Sequence, residues 1–135
     1  MIIVCDTNIL ISATHFPGSS PDEVINLVRE GSIELAISPE ILSEFERVLK
    51  KKFGASKEEI KETTGSIKEM AVIVKPTEKI NLIKQDPTDN KILECALKAK
   101  ADYIISGDTK HLQPLKEFQG IPVLSPAQFL TVISK

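Results

Sequence analysis

Tryptophan is absent, tyrosine occurs once, and cysteine and histidine occur twice each among 135 residues. Each scarcity removes a class of function. With so few aromatics there is no platform on which bases could stack. Cys5 and Cys95 sit in apolar stretches without metal-finger spacing. That excludes a disulfide scaffold or a thiolate zinc site and makes them small core residues of a reducing compartment. His15 and His111 are isolated and read as surface or loop residues, neither having a second nitrogen ligand in view. No apolar run approaches the roughly 20 residues of a membrane-spanning helix. The N-terminal Met-Ile-Ile-Val-Cys-Asp also lacks the basic region and full apolar segment of a secretion signal. The expected compartment is therefore the cytoplasm, with no membrane partner. Neither sign of charge dominates, and a formal net charge of -2 argues against holding nucleic acid chiefly by a strong positive field.

What is present is an ordinary globular composition, 41% apolar and 27% charged. The length suits one well-buried core, so residues 1–135 are expected to form a single domain. The most organised stretch runs from Asp86 to Asp108. Asp86-Pro87 pairs a capping carboxylate with a proline suited to the first helical position, so a helix is expected to begin at Asp86. Ile92, Leu93, Ala96 and Leu97 share one face at helical spacing, and Asp89 lies on that face one turn back. The helix is expected to run out near Ala101, before a short strand Tyr103-Ile104-Ile105-Ser106 and a turn at Gly107-Asp108. Asp89 and Asp108 thereby reach the edge of one buried sheet.

Ile2-Ile3-Val4-Cys5 has the continuous β-branched character of a parallel strand covered on both faces, and it ends at Asp6. Asp6 either lies at a ligand-binding rim or caps a helix starting at Thr7; position alone supports both equally. Ser20-Pro21-Asp22-Glu23 predicts a capped helix that Gly31 stops. Ile33 to Ile37 reads as a strand, and Ser38-Pro39 opens a helix whose buried stripe is Ile41, Leu42, Phe45, Val48 and Leu49. Glu44 and Glu46 fall on opposite shoulders of that stripe, and periodicity does not choose between them. Lys50-Lys51-Lys52 reads first as a solvated helix end suited to the dipole, and second as a phosphate-contacting patch. Ser56-Lys57-Glu58-Glu59 is a capping box, followed by a strand at Ala71 to Val74; Thr77 to Gln85 has no clean period. Thr109 to Leu112 suggests a helical turn, Ile121 to Leu124 a proline-bearing edge strand, and Ser125-Pro126 a final helix. Repeated strand-to-helix joints imply βα units and a parallel sheet.

Asp6, Asp89 and Asp108 belong to element ends, and Glu44 borders a buried stripe; three of these four can meet at the carboxyl rim of one sheet. Clustered carboxylates raise one another's pKa unless a cation neutralises them. Oxygen donors without cysteine or histidine suit Mg²⁺ or Mn²⁺ and argue against zinc. Such a site fits metal-dependent phosphodiester hydrolysis.

Four segments in order carry a family resemblance: Ile3-Val4-Cys5-Asp6-Thr7-Asn8, Ser38-Pro39-Glu40-Ile41-Leu42-Ser43-Glu44, Asp89-Asn90-Lys91-Ile92-Leu93-Glu94-Cys95-Ala96, and Ala101-Asp102-Tyr103-Ile104-Ile105-Ser106-Gly107-Asp108. Each is weak alone, and the ordered set resembles a PIN domain across almost the whole chain. The resemblance implies a three-layer α/β/α fold with a central parallel sheet and a Mg²⁺- or Mn²⁺-dependent ribonuclease site. It also implies an acidic quartet of Asp6, Glu44, Asp89 and Asp108, selecting Glu44 over Glu46. Thr7, Asn8 and Ser106 match the supporting polar positions, and Asp86 is left chiefly as a helix cap. The compact form resembles VapC-like toxins, which implies an RNA substrate, a homodimer and an antitoxin that blocks the acidic cleft. With the quartet set aside, basic residues slightly outnumber the remaining acidic ones, so the weak net charge does not oppose this. Rival readings are a PIN-like module that binds RNA or protein without cutting, and a structure-specific DNA nuclease. A haloacid-dehalogenase-like phosphatase would need a second aspartate two residues after Asp6, where Asn8 stands.

Overall fold

A computed structural model of the chain describes residues 1–134. Strand β1 (Ile2–Cys5) leads to helices α1 (Thr7–His15) and α2 (Ser20–Arg29), then β2 (Glu34–Ile37), α3 (Pro39–Phe53), α4 (Lys57–Met70) and β3 (Ala71–Ile73). After an irregular segment come α5 (Asp89–Ala99), β4 (Tyr103–Ile105), a 3₁₀ turn at Gln113–Leu115, β5 (Glu117–Phe118), β6 (Ile121–Leu124) and α6 (Pro126–Ile133). The strands form a six-stranded sheet in the order β3-β2-β1-β4-β6-β5. All neighbours pair in parallel except β5 with β6, so the sheet is mostly parallel and flanked by helices in the expected α/β/α manner. No helix among the described residues is long and apolar enough to cross a membrane.

The order places the site. From β1 the chain steps outward through β2 and β3, then returns to lay β4 against the other side of β1. This reversal opens a crevice beyond the carboxyl ends of β1 and β4, where ligands bind in such sheets. Asp6 follows β1 and Ser106 follows β4, and the two strands run side by side with Cys5 opposite Ile105. Ile3, Val4, Cys5, Ile104 and Ile105 are all buried, as continuous apolar strands covered on both faces require. Cys5 and Cys95 are unpaired and buried in this core.

Local chemistry explains most boundaries. Ser38, Ser56 and Ser125 each accept from the amide three residues on, and Ser56 and Ser125 complete capping boxes with Glu59 and Gln128. Gly54 ends α3 at φ 61, a left-handed turn that favours glycine. Several expectations need correction. Helix α2 is capped by Ser19, which accepts from the Asp22 amide, so Ser20 is already its first residue. Helix α5 begins at Asp89, because Asp86 turns its carboxylate onto the Thr88 amide and hydroxyl and holds a separate turn. That helix also ends earlier than Ala101, at Ala99, with Lys100 at φ 53. Strand β6 is not the sheet edge: the two-residue β5 covers it, and the opposite edge is β3, leaving Val72 and Ile73 exposed.

The segment between β3 and α5 has no strand or helix of its own. Two buried side chains of α5 hold it instead. Asn90 accepts from the Ile83 amide at 2.9 Å and donates to the Ile83 carbonyl at 2.7 Å, and Glu94 accepts from the Ile80 amide at 3.0 Å. This strap carries Asp86 to the mouth of the crevice.

Candidate functional site

A cleft of about 840 Å³ opens over the β1 and β4 ends, lined among others by Asp6, Thr7, Asn8, Glu44, Asp86, Asp89, Asp108 and His111. Asp6 is both the cap of α1 and a rim residue. Its Oδ1 accepts from the Ile9 amide at 3.0 Å, and its Oδ2 accepts from the Ser106 hydroxyl. Burial pushes its pKa from 3.8 up to about 6, against those two hydrogen bonds, which lower it. Ser106 lies wholly buried beneath the cleft, and its Oγ accepts from the Asp108 amide at 2.9 Å.

Asp108 turns the chain after β4: its carboxylate accepts from the amides of Lys110, His111 and Leu112 at 2.9, 3.1 and 3.3 Å. Burial acts to raise its pKa, yet these amides outweigh it and hold the carboxyl below the usual value. Asp89 stands beside it at the start of α5. Burial first, then the charges of Asp86 and Asp108, push Asp89 from 3.8 up to about 6, with relief from His111. Three of the four expected acids, Asp6, Asp89 and Asp108, are thus electrostatic neighbours.

Glu44 stands apart from that group. It lines the cleft on α3 and is gripped by Arg47, whose Nε and guanidinium nitrogen donate to it at 2.9 and 2.6 Å. Glu46 turns the other way and accepts from Thr64 of α4 at 3.0 Å, so the two shoulders that periodicity left equal differ in surroundings. Thr7 and Asn8 line the cleft on the first turn of α1. Arg47, Lys51, Lys52 and Lys91 also line it, Lys51 and Lys52 as exposed side chains at its rim.

Two residues depart from the expectation that sequence gives. His111 is not isolated: its Nδ1 is 3.1 Å from Asp89 Oδ2 and 3.6 Å from Asp108 Oδ2. Asp86, expected to cap α5, joins the same group, and one ligand atom each of Asp86, Asp89 and His111 lie within 4.8 Å of one another. The approach of Asp108 to His111 around one tight turn was the available signal; the contact with Asp89 crosses 22 positions and has no local signature. The donor set is rich in carboxylate oxygen, so these residues fit a hard divalent cation.

Comparison with known proteins agrees with this geometry. Residues 2–110 match the family model described as PIN domain. An uncharacterized protein of Methanocaldococcus jannaschii, MJ1680, is 33% identical over 110 residues, covering 78% of this chain and 70% of the relative. Among solved structures, VapBC-1 from nontypeable Haemophilus influenzae superposes with a TM-score of 0.63 at 22% identity, covering 94% of this chain and 99% of that one. Mycobacterium tuberculosis VapC20, described as a sarcin-ricin loop cleaving toxin, superposes with a TM-score of 0.58 at 13% identity, covering 89% and 98%. The likeness to these structures is one of fold; the family match spans most of the sequence and both central strands of the cleft, and on it this chain belongs to the PIN domain family.

Proposed function

We propose that this protein is a metal-dependent endoribonuclease and the toxin of a toxin-antitoxin pair. One observation carries the reading: Asp6, Asp89 and Asp108 line one cleft at the switch point of a parallel sheet, with the carboxylates of Asp6 and Asp108 fixed in place by hydrogen bonds. Family membership supports a nuclease role, and the relative described as a sarcin-ricin loop cleaving toxin supports RNA as the substrate. The VapBC relatives support an antitoxin partner, and a homodimer is part of the same proposal.

The site residues are Asp6, Glu44, Asp89 and Asp108, with Thr7, Asn8 and Ser106 in support. Mg²⁺ or Mn²⁺ held by the acids would polarise a phosphoryl oxygen and lower the pKa of water. Asp6 cannot swing, because Ile9 and Ser106 hold both of its oxygens, so it presents a fixed acceptor to whatever occupies the cleft. Asp108 is oriented in the same way by the turn it closes. Arg47, Lys51 and Lys52 form a basic wall on α3 suited to flanking phosphates, and Thr7 and Asn8 offer polar groups to an attacking water. The water oxygen forms a bond to phosphorus as the bond to the 3′ oxygen breaks, and that oxygen takes up a proton. A 5′-phosphate and a 3′-hydroxyl result.

A non-cutting module that binds RNA or protein is the second reading, and the Glu44–Arg47 pair favours it by neutralising one acid of the quartet. The test is incubation of matched RNA and DNA oligonucleotides with Mn²⁺ and analysis of the new ends. RNA cut to 5′-phosphate ends supports the proposal; cutting of DNA alone moves the assignment to a DNA nuclease, and binding without cutting supports the module.

A further inference from the structure

The scarcity of aromatics implied no surface on which bases could stack, and His15 read as an isolated loop residue. The fold instead gathers its exposed aromatic surface in one place. Of the five phenylalanines, Phe45, Phe118 and Phe129 are buried, whereas Phe16 and Phe53 are 59% and 44% exposed. Both belong to one surface patch. The His15 ring at the end of α1 stacks on the Phe53 ring at the end of α3, with centroids 4.1 Å apart and planes 21° from parallel, and Phe16 follows His15 in the chain. The patch is held in shape. His15 Nδ1 faces the Ile11 carbonyl at 3.1 Å and donates to it. Phe16 is tied by its amide to the Ser12 carbonyl at 2.8 Å and by its carbonyl to the Ser19 amide at 3.2 Å.

The surroundings of the patch identify its occupant. Lys50, Lys51 and Lys52 lead directly into Phe53, are exposed, and pair with no carboxylate among the described residues. Lys51 and Lys52 also reach the rim of the cleft, so the patch continues it. Along α1 the spacing is short: Asn8 lines the cleft, and His15 lies roughly 10 Å further along the helix axis. An apolar protein surface would have to desolvate the lysines. A single strand of nucleic acid suits both halves, since its phosphates take the lysines and its bases the ring faces.

We propose that His15, Phe16 and Phe53 form a base-stacking subsite for single-stranded RNA, joined to the cleft through Lys51 and Lys52, which hold the intervening phosphates. Bases of a duplex are already stacked on one another, so the subsite selects unpaired RNA. The inference rests on reading the cleft as an RNA site, and its test reads binding without cutting.

An oligouridylate of about 10 nucleotides with 2-aminopurine at one position, moved along the strand, is titrated into the folded protein in the presence of chelator. Wild type is expected to quench the probe at one or two adjacent positions. Phe53→Leu should lose that quenching and bind about fivefold more weakly or worse, and Phe53→Trp should retain both. The salt dependence of binding should stay the same in Phe53→Leu, because no phosphate contact is lost. Val132→Ala, which trims an exposed apolar side chain on α6, should change nothing. Absence of quenching in wild type, or equal affinity of Phe53→Leu and wild type, overturns the subsite. So does a wild-type dimer that falls to monomers in Phe53→Leu with RNA binding unchanged, which assigns the patch to contact between two copies. A wild type that cuts RNA without quenching the probe overturns the subsite and leaves the nuclease reading standing. Quenching by a protein that cuts no RNA supports the subsite while the nuclease reading fails.

Discussion

The hydroxyl of Ser106 donates to Asp6 Oδ2 across 100 positions of sequence and accepts the Asp108 amide at 2.9 Å. One buried side chain thus fixes the two acids that end the central strands. Ser106→Ala removes a bond to a carboxylate and leaves the part-buried Asp108 amide without its acceptor. We expect it to cost about 2–4 kcal/mol in urea unfolding, and to lower cleavage at neutral pH by roughly tenfold or more. The Ser106 bond also lowers the Asp6 pKa, so the acid limb of the activity profile should move to higher pH in this variant.

Asp6 links stability to pH. Its folded pKa, about 6, exceeds the unfolded value of 3.8, so its contribution is fully present below pH 3.8 and is lost as pH rises through about 6. For this buried carboxyl the loss is on the order of 3 kcal/mol. Metal-free protein should accordingly become easier to unfold between about pH 4 and 6, and Asp6→Asn should remove much of that slope. Added Mn²⁺ should restore stability at pH 7 more than at pH 5, because protons compete for Asp6 and Asp89 in the same window. Melting temperatures with and without Mn²⁺ at the two pH values check this.

Asn90 is one of the two α5 side chains that hold the strap, Glu94 being the other. Asn90→Ala leaves the buried Ile83 amide and carbonyl unpaired, for a loss of about 2–4 kcal/mol. Hydrogen exchange should rise in residues 78–88 before it rises in β1 or β4, since no other secondary structure holds the strap. Uniform loss of protection across the sheet would contradict a local clamp.

The basic wall of α3 should act on binding more than on chemistry. Lys51→Gln together with Lys52→Gln should raise KM for RNA severalfold with kcat nearly unchanged. The salt dependence of binding should become shallower by about 0.7 for each phosphate that the variant no longer neutralises. Glu46→Gln, on the far shoulder of α3 against Thr64, should leave cleavage unchanged.

The regular elements were legible because their signals are local. Serine caps, the Ser56 and Ser125 boxes and the apolar strand Ile2–Cys5 each depend on neighbours a few residues away. The parallel sheet followed from repeated strand-to-helix joints. Asp86 misled because Asp-Pro is equally a helix cap and a turn, and here Thr88 takes its carboxylate. The edge assignment of β6 failed because β5 has only the pair Glu117–Phe118, too short to carry a pattern. In the cleft, Asp6, Asp89 and Asp108 could be placed from the ends of their elements, whereas His111 and Arg47 gained their roles from partners that sequence spacing does not reveal: Asp89 across the fold, and a choice of rotamer at Glu44.

The most direct measurement is cleavage of a mixed set of single-stranded and structured RNAs with Mn²⁺, beside a chelator control and folded Asp108→Asn protein. Cleavage by wild type that disappears with chelator and falls at least a hundredfold in Asp108→Asn is the expected result, a loss of about 2.7 kcal/mol or more in transition-state stabilisation. Cleavage that survives both controls, or a folded wild type that binds Mn²⁺ and cuts none of the RNAs, would contradict the nuclease assignment.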